Sequence, residues 1–490
     1  MTELVEDAPA FVAEQNKANA GAAHLSFATK TFYGSGALVE TVINTVLTAY
    51  HFFYLTAVCG MSGSLAGLSA FIGLAVDAFI DPLIGSLSDN THSRFGRRLP
   101  YMMASALPIA IFFGLLFSIP ASFTGTALFL YATGILLCMR FALSGFVVPF
   151  MAMGGELSDD FHERSVVVAF RHAFGILAGF LPLIVGLPLF LKGNNVLTRG
   201  AYVPYAWTCA AMTLIGAAVS IFGTLRERHR LHMPTKEQAR ARNFFREVAE
   251  VFRNRSFNIL FSALVIFFVA QGVAGVLALD SGLFFWKLTT GELALLQLAV
   301  PFGSAAGIPI ILALARRFEK RTIVLGGQLT FCLGQMTLPL LRIAGLLPPN
   351  GPQLMLILIA NFFTIGITVT ALVIGFQSMM ADAADEHDFL FGARREGIYF
   401  AGLSFSVKLT AAAGVLLAGK AADLIGLPSS VAQHGGMHIR LPAETVRNLG
   451  LISGPLPAAI TLTCMIITWF YAIDRKRHAE IRDALAKRRR

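Results

Sequence analysis

Long apolar runs separated by short polar breaks repeat along the whole chain. A run of about 18 or more residues almost free of charge reads as a membrane-crossing helix. On that rule the pattern predicts twelve spans: 31–58, 62–88, 99–119, 122–152, 164–191, 203–225, 257–286, 292–315, 321–345, 352–381, 396–425 and 454–473. The short alternating strands of a membrane barrel do not occur. The expected fold class is an all-α membrane protein.

The polar breaks organise these spans. The longest interior one, 226–256, falls after the sixth span and reads as a cytoplasmic linker between two six-helix bundles, 31–225 and 257–473. Its part from Phe244 to Phe252 has apolar residues at helical spacing and is expected along the membrane surface. A polar tail (1–30) precedes the first bundle and a basic tail (474–490) follows the second. The bundles echo each other. The break after the second span carries Arg94, Phe95, Arg97 and Arg98; the break after the eighth carries Arg317, Phe318, Lys320 and Arg321. The fourth and tenth spans each run into an acidic cluster followed by arginine, around Glu156 and Arg164 and around Asp382 and Arg395. Two repeated bundles with a midplane site between them is the layout of alternating-access carriers. The paired clusters are then expected to act as a cytoplasmic gate, breaking on inward opening.

Composition sharpens this. Of 490 residues, 55% are hydrophobic and 14% charged, with a mean hydropathy of +0.66, too apolar for a soluble protein of this size. The N-terminus is polar and acidic, so it does not read as a signal peptide. The net charge of +10 would suit nucleic acid in a soluble protein, but its placement argues otherwise. Nine Lys and Arg lie between Arg226 and Arg255 and eight between Arg475 and Arg490, whereas the opposite set of loops holds six: Lys192, Arg199, Lys287, Arg342, Arg440 and Arg447. By the positive-inside rule both termini are cytoplasmic, and the basic tail reads as an anchor on anionic headgroups. No nucleic acid is expected as a partner. Cys59, Cys138, Cys209, Cys332 and Cys464 are scattered singly, with no CxxC and no His cluster; they read as small apolar residues, and no metal or cofactor is expected.

Charges inside apolar spans are expensive and mark function by default. Six stand out: Glu40, Asp77, Asp81, Arg140, Arg171 and Lys408, three acids and three bases. Asp77 and Asp81 are four apart and share one helix face. Two carboxylates that close repel, which favours uptake of a proton or a hard cation. Arg171 lies two turns from the cytoplasmic end and can also be read as reaching headgroups. For Arg140 and Glu40 a structural ion pair competes with a site role. Lys420, Asp423 and Asp280 lie near the outer helix ends and read as interfacial, as do Trp207 and Trp286.

At Asp77 the residues form a recognisable pattern. VDAFIDPLIGSLSDNTHSRFGRRLPYM resembles the second helix and following loop of the glycoside–pentoside–hexuronide:cation symporters, the melibiose permease group of the major facilitator superfamily. The resemblance continues through YGSGAL, VPFMAMGGELSDDFHERSVVVAFR, NRSFNILF and MADAADEHDFLFGARREGIYFAGLSFSVKL, in order along the chain. It implies the twelve-helix major facilitator fold and cation-coupled sugar symport by alternating access. It also implies a cation site at Asp77 and Asp81 with an oxygen from Ser144, Arg171 at the sugar site, and Lys408 between sugar and cation. Two acidic residues that hold sugar hydroxyls in the melibiose permease fall here at Thr41 and Val147, with Glu40 one position from the first. The amide-bearing residue that sodium users place before the second aspartate is Ile80, which favours H⁺ over Na⁺ as coupling ion. The expected substrate-binding set is therefore Glu40, Thr41, Arg140, Arg171 and Lys408. A neutral glycoside or pentoside is preferred, with a uronide as the alternative. A carrier of a lipid-like amphiphile and a polytopic membrane transferase are the rival readings; no convergent catalytic set supports the enzyme. The expected setting is a bacterial inner membrane, with the protein functional as a monomer.

Overall fold

The computed structural model describes residues 25–158, 160–230, 251–391, 396–429, 431 and 441–488. Most of the linker, including Phe244, and Arg395 of the expected gate lie outside these residues. The described residues form twelve helical spans and no strand. The first, α1, is broken: helices Phe27–Ser35 and Ala37–Val46 lead into π-helical turns at Leu47–His51 and Tyr54–Val58. Then follow α2 (Gly63–Asp89), α3 (Leu99–Leu116), α4 (Gly125–Glu156), α5 (Phe161–Val185) and α6 (Arg199–Thr224). The second half holds α7 (Arg255–Val276, continued by Ala278–Asp280 and a π turn at Ser281–Phe285), α8 (Thr290–Arg317), α9 (Lys320–Ile343), α10 (Pro352–Phe391), α11 (Glu396–Leu424) and α12 (Ala443–Ser453 and Pro455–Trp469). A tail helix, α13 (Arg475–Arg488), ends the described chain. Ten of the spans are long and apolar enough, by length and composition, to cross a membrane.

Local chemistry fixes many of the ends. Ser26, Ser62, Asp160 and Asn254 each cap a helix by accepting from an amide in its first turn. Thr289 and Glu292 form a reciprocal capping box at the start of α8. Two spans differ from the sequence expectation. The last begins at Ala443, eleven residues early, and bends at Gly454–Pro455, where the helix cannot continue its hydrogen bonds. The tenth runs 40 residues to Phe391, about 60 Å at helical rise, twice the thickness of a bilayer core. Its acidic end stays helical because Asp382, Ala383, Ala384 and His387 are buried there against the protein. The basic tail helix packs on that extension: His478 contacts Asp385 and Asp382 at 3.1 and 3.4 Å. Arg475 donates to the carbonyls of Ala315 and Phe318. At least its first turn is therefore held by protein rather than by headgroups.

The two halves repeat one pairing scheme. In the first, α1 packs on α5 and α6, α2 on α4, and α3 on α4 and α6; in the second, α7 packs on α11 and α12, α8 on α10, and α9 on α10 and α12. Across the halves α2 lies along α11, and α5 touches α8. Glycines permit the first crossing: a Cβ on Gly419 would sit 2.1 Å from the carbonyl oxygen of Gly63. The start of α1, the turns joining α2 to α3 and α8 to α9, and the tail helix share one face of the described residues, the basic face; α2 starts and α11 ends at the opposite, far face.

Candidate functional site

α2 brings Asp77 and Asp81 to the crossing with α11. Asp77 is 4% exposed. Its Oδ1 accepts from the Ser144 hydroxyl of α4 at 2.9 Å, and its Oδ2 lies 3.0 Å from the Lys408 ammonium of α11 and 3.7 Å from Arg140 of α4. Lys408 also donates to Asp81, so one ammonium bridges both carboxylates and ties one half to the other. Burial of a lone charge is costly, and mutual pairing is what makes this cluster tolerable. Arg140 also donates a hydrogen bond to Asn44 Oδ1 of α1 at 3.3 Å, while its buried Nε has no partner among the described residues.

These groups line a cavity of about 430 Å³ between α1, α2, α4, α7 and α11, together with Glu40, His51 and Gln271. A larger cavity of about 700 Å³ lies on the other side of α1, against α7, α8, α9, α10 and α12. Glu40, Asn44 and Thr48 line both, so the two spaces are contiguous around one helix. Glu40 makes no hydrogen bond or ion pair among the described residues, so its carboxylate is available to a ligand. Of the ionisable side chains in the smaller cavity, Glu40, Asp77 and Asp81 are acids and Arg140 and Lys408 are bases. Three against two leaves one formal negative charge in excess.

The structure brings together Glu40, Asp77, Asp81, Arg140, Ser144 and Lys408 of the sequence-derived set. Thr41 lines the larger cavity instead. Arg171 lines neither, so the balance of three acids and three bases does not hold within one cavity. Of the expected gate residues, Glu156 pairs with Arg97 and Arg98 and Asp382 with Lys320 and His478, each inside its own half; the side chain of Arg164 lies outside the described residues. Trp286, read as interfacial, is 5% exposed and lines the larger cavity. Asp280, read the same way, is buried, with Oδ2 unpartnered among the described residues. Sequence reasoning misses Asn44, His51, Gln271, Gln297, Gln335 and Asn361. Their only signal is an uncharged polar side chain within an apolar span, which a search for charges passes over.

Contacts across the halves gather toward the far face. Asp423 of α11 accepts from the backbone amides of Gly63 and Ser64, both at 2.7 Å, at the start of α2. Thr290 accepts from the Gly193 amide at 2.9 Å, and the Tyr50 hydroxyl donates to Gln297 at 3.0 Å.

Comparison with known proteins places this architecture. An uncharacterized symporter of Synechocystis sp. is 26% identical over 95% of this chain and 97% of its own length. The isoprimeverose transporter of Lactiplantibacillus pentosus is 25% identical over 74% of this chain and 73% of its own. The solved structure of the nucleoside transporter NupG overlays with a TM-score of 0.58 at 12% identity, covering 91% of this chain and 100% of that one, which bears on the fold alone. The family described as MFS/sugar transport protein matches residues 32–475. This repeated twelve-span protein, with its buried charge cluster between the halves, belongs to the MFS/sugar transport protein family.

Proposed function

We propose that the protein is a cation-coupled symporter of a neutral glycoside, working by alternating access with Asp77 and Asp81 as the coupling site. The observation that carries this is the Lys408 bridge to both carboxylates across the halves. In the unloaded carrier the ammonium stands where the cation binds. A bound cation supplies the one positive charge the cavity lacks and displaces Lys408, which then turns to the solute beside Glu40. A carrier holding only the cation is left with an unpaired ammonium in a low-dielectric cavity and crosses slowly. In the empty carrier both carboxylates hold the ammonium and in the fully loaded one the solute does, so these two forms cross readily, and that difference is the coupling. Ile80 offers no ligand oxygen next to Asp81, so H⁺ is preferred to Na⁺. With the basic face toward the cytoplasm, the cross-half contacts close the outer side. In this reading the protein acts as a monomer in a bacterial inner membrane.

The charge of the solute follows from the same pairs. With a cation bound, the three acids of the smaller cavity are matched by three positive charges, so a neutral solute keeps it balanced and an acidic one does not. The free group is Glu40, an acceptor for sugar hydroxyls. A lipid-like amphiphile is the second reading, favoured by the mainly apolar wall that surrounds the four amides of the larger cavity. Uptake of labelled glycosides into sealed vesicles under a pH gradient tests this. Neutral glycosides are expected to compete and glucuronides to fail; the reverse order, or uptake driven by a sodium gradient at clamped pH alone, contradicts the reading.

A further inference from the structure

The larger cavity differs in chemistry from the coupling site it adjoins. Its wall carries four side-chain amides, Asn44, Gln297, Gln335 and Asn361, and the rings of Trp286 and Phe362; Glu40, on the shared edge, is its one ionisable side chain among the described residues. Much of its hydrogen-bonding capacity is unused. Gln335 makes no side-chain hydrogen bond among the described residues. Gln297 spends Oε1 on Tyr50 and keeps its NH₂ group. Asn361 donates Nδ2 to Gly334 O at 3.1 Å and keeps Oδ1. The buried indole of Trp286 finds no acceptor for its N–H among the described residues.

Amides offer a donor and an acceptor side by side, which matches vicinal hydroxyls, and an aromatic face packs on the C–H face of a pyranose ring. A volume of about 700 Å³ lies well within the range of about 300–1,000 Å³ that encloses small ligands. It adds to the neighbouring space rather than repeating it. We infer that this cavity is a second subsite, holding the second ring of a neutral two-ring glycoside whose first ring meets Glu40, with Gln335 and Trp286 setting the preference for two rings over one. The inference rests on the glycoside reading above and extends it to the solute's size.

Direct binding to the purified full chain tests it, using neutral disaccharides and the methyl glycosides of their first ring. The wild type is expected to bind a disaccharide at least about tenfold tighter than its methyl glycoside, near the worth of one or two hydrogen bonds. Gln335→Leu and, independently, Trp286→Phe are expected to remove most of that margin, with melting temperatures confirming that both variants fold. A margin that survives in both folded variants, or none in the wild type, overturns the second subsite while leaving the glycoside reading intact. If neither single-ring nor two-ring neutral glycosides bind the wild type, the glycoside reading fails and the subsite falls with it.

Discussion

Lys408 is the residue on which most of the charge argument turns. Its ammonium bridges Asp77 and Asp81 from the opposite half, so Lys408→Gln leaves both carboxylates without that cation in the unloaded carrier. The empty carrier is then uncompensated, and its return becomes the slow step. Net uptake is expected to fall about tenfold or more, the effect of losing roughly 1.4 kcal/mol or more of pairing. Exchange with both solute and coupling ion saturating on both sides should fall much less, because exchange skips the empty return and saturation offsets the lost solute contact. Equal losses in the two assays would count against the role. Asp77, Asp81 and Lys408 were legible because charge at depth stands out in an apolar run, and depth can be counted along a span. Azimuth cannot. Arg171 sits at a readable depth on α5 but lines neither cavity. Gln335 and Asn361 reach the larger one while carrying no charge to flag them.

At the scale of elements, the α2–α11 crossing holds the far side shut. Gly63 and Gly419 let the two backbones touch, and Asp423 caps the first turn of α2 from the other half. A carboxylate at a helix N-terminus accepts orphan amides and meets the positive end of the dipole. Because Asp423 is exposed, its contribution is that of an ordinary cap, about 1 kcal/mol. Asp423→Ala is expected to shift the carrier about fivefold toward the far-open form, seen as a longer distance between spin labels at the outer ends of α2 and α11. An unchanged distance distribution would show that the glycine crossing alone holds the gate. The sequence placed this aspartate at a helix end but not on a partner, since a cap across 360 residues of chain depends on tertiary packing. The π turns of α1 were equally hidden: LTAYH and YLTAV look like any apolar helix, and tertiary packing rather than local propensity sets their register.

For the whole molecule, the twelve spans and their division into echoed halves were readable from period, length and repeated loop motifs, and the matching pairings within each half agree with that reading. The extent of α10 was not, because its acidic end is kept helical by burial against the protein rather than by hydropathy. What unites the two halves functionally is the claim that a cation at Asp77 and Asp81 drives solute across. Accumulation in sealed, ion-gradient-loaded vesicles tests this most directly, comparing wild type with Asp77→Asn and Asp81→Asn. The wild type should concentrate a transported glycoside above the medium and lose the gain when the gradient is collapsed; each variant should reach only equilibrium. Undiminished gradient-driven accumulation in both variants would contradict the account.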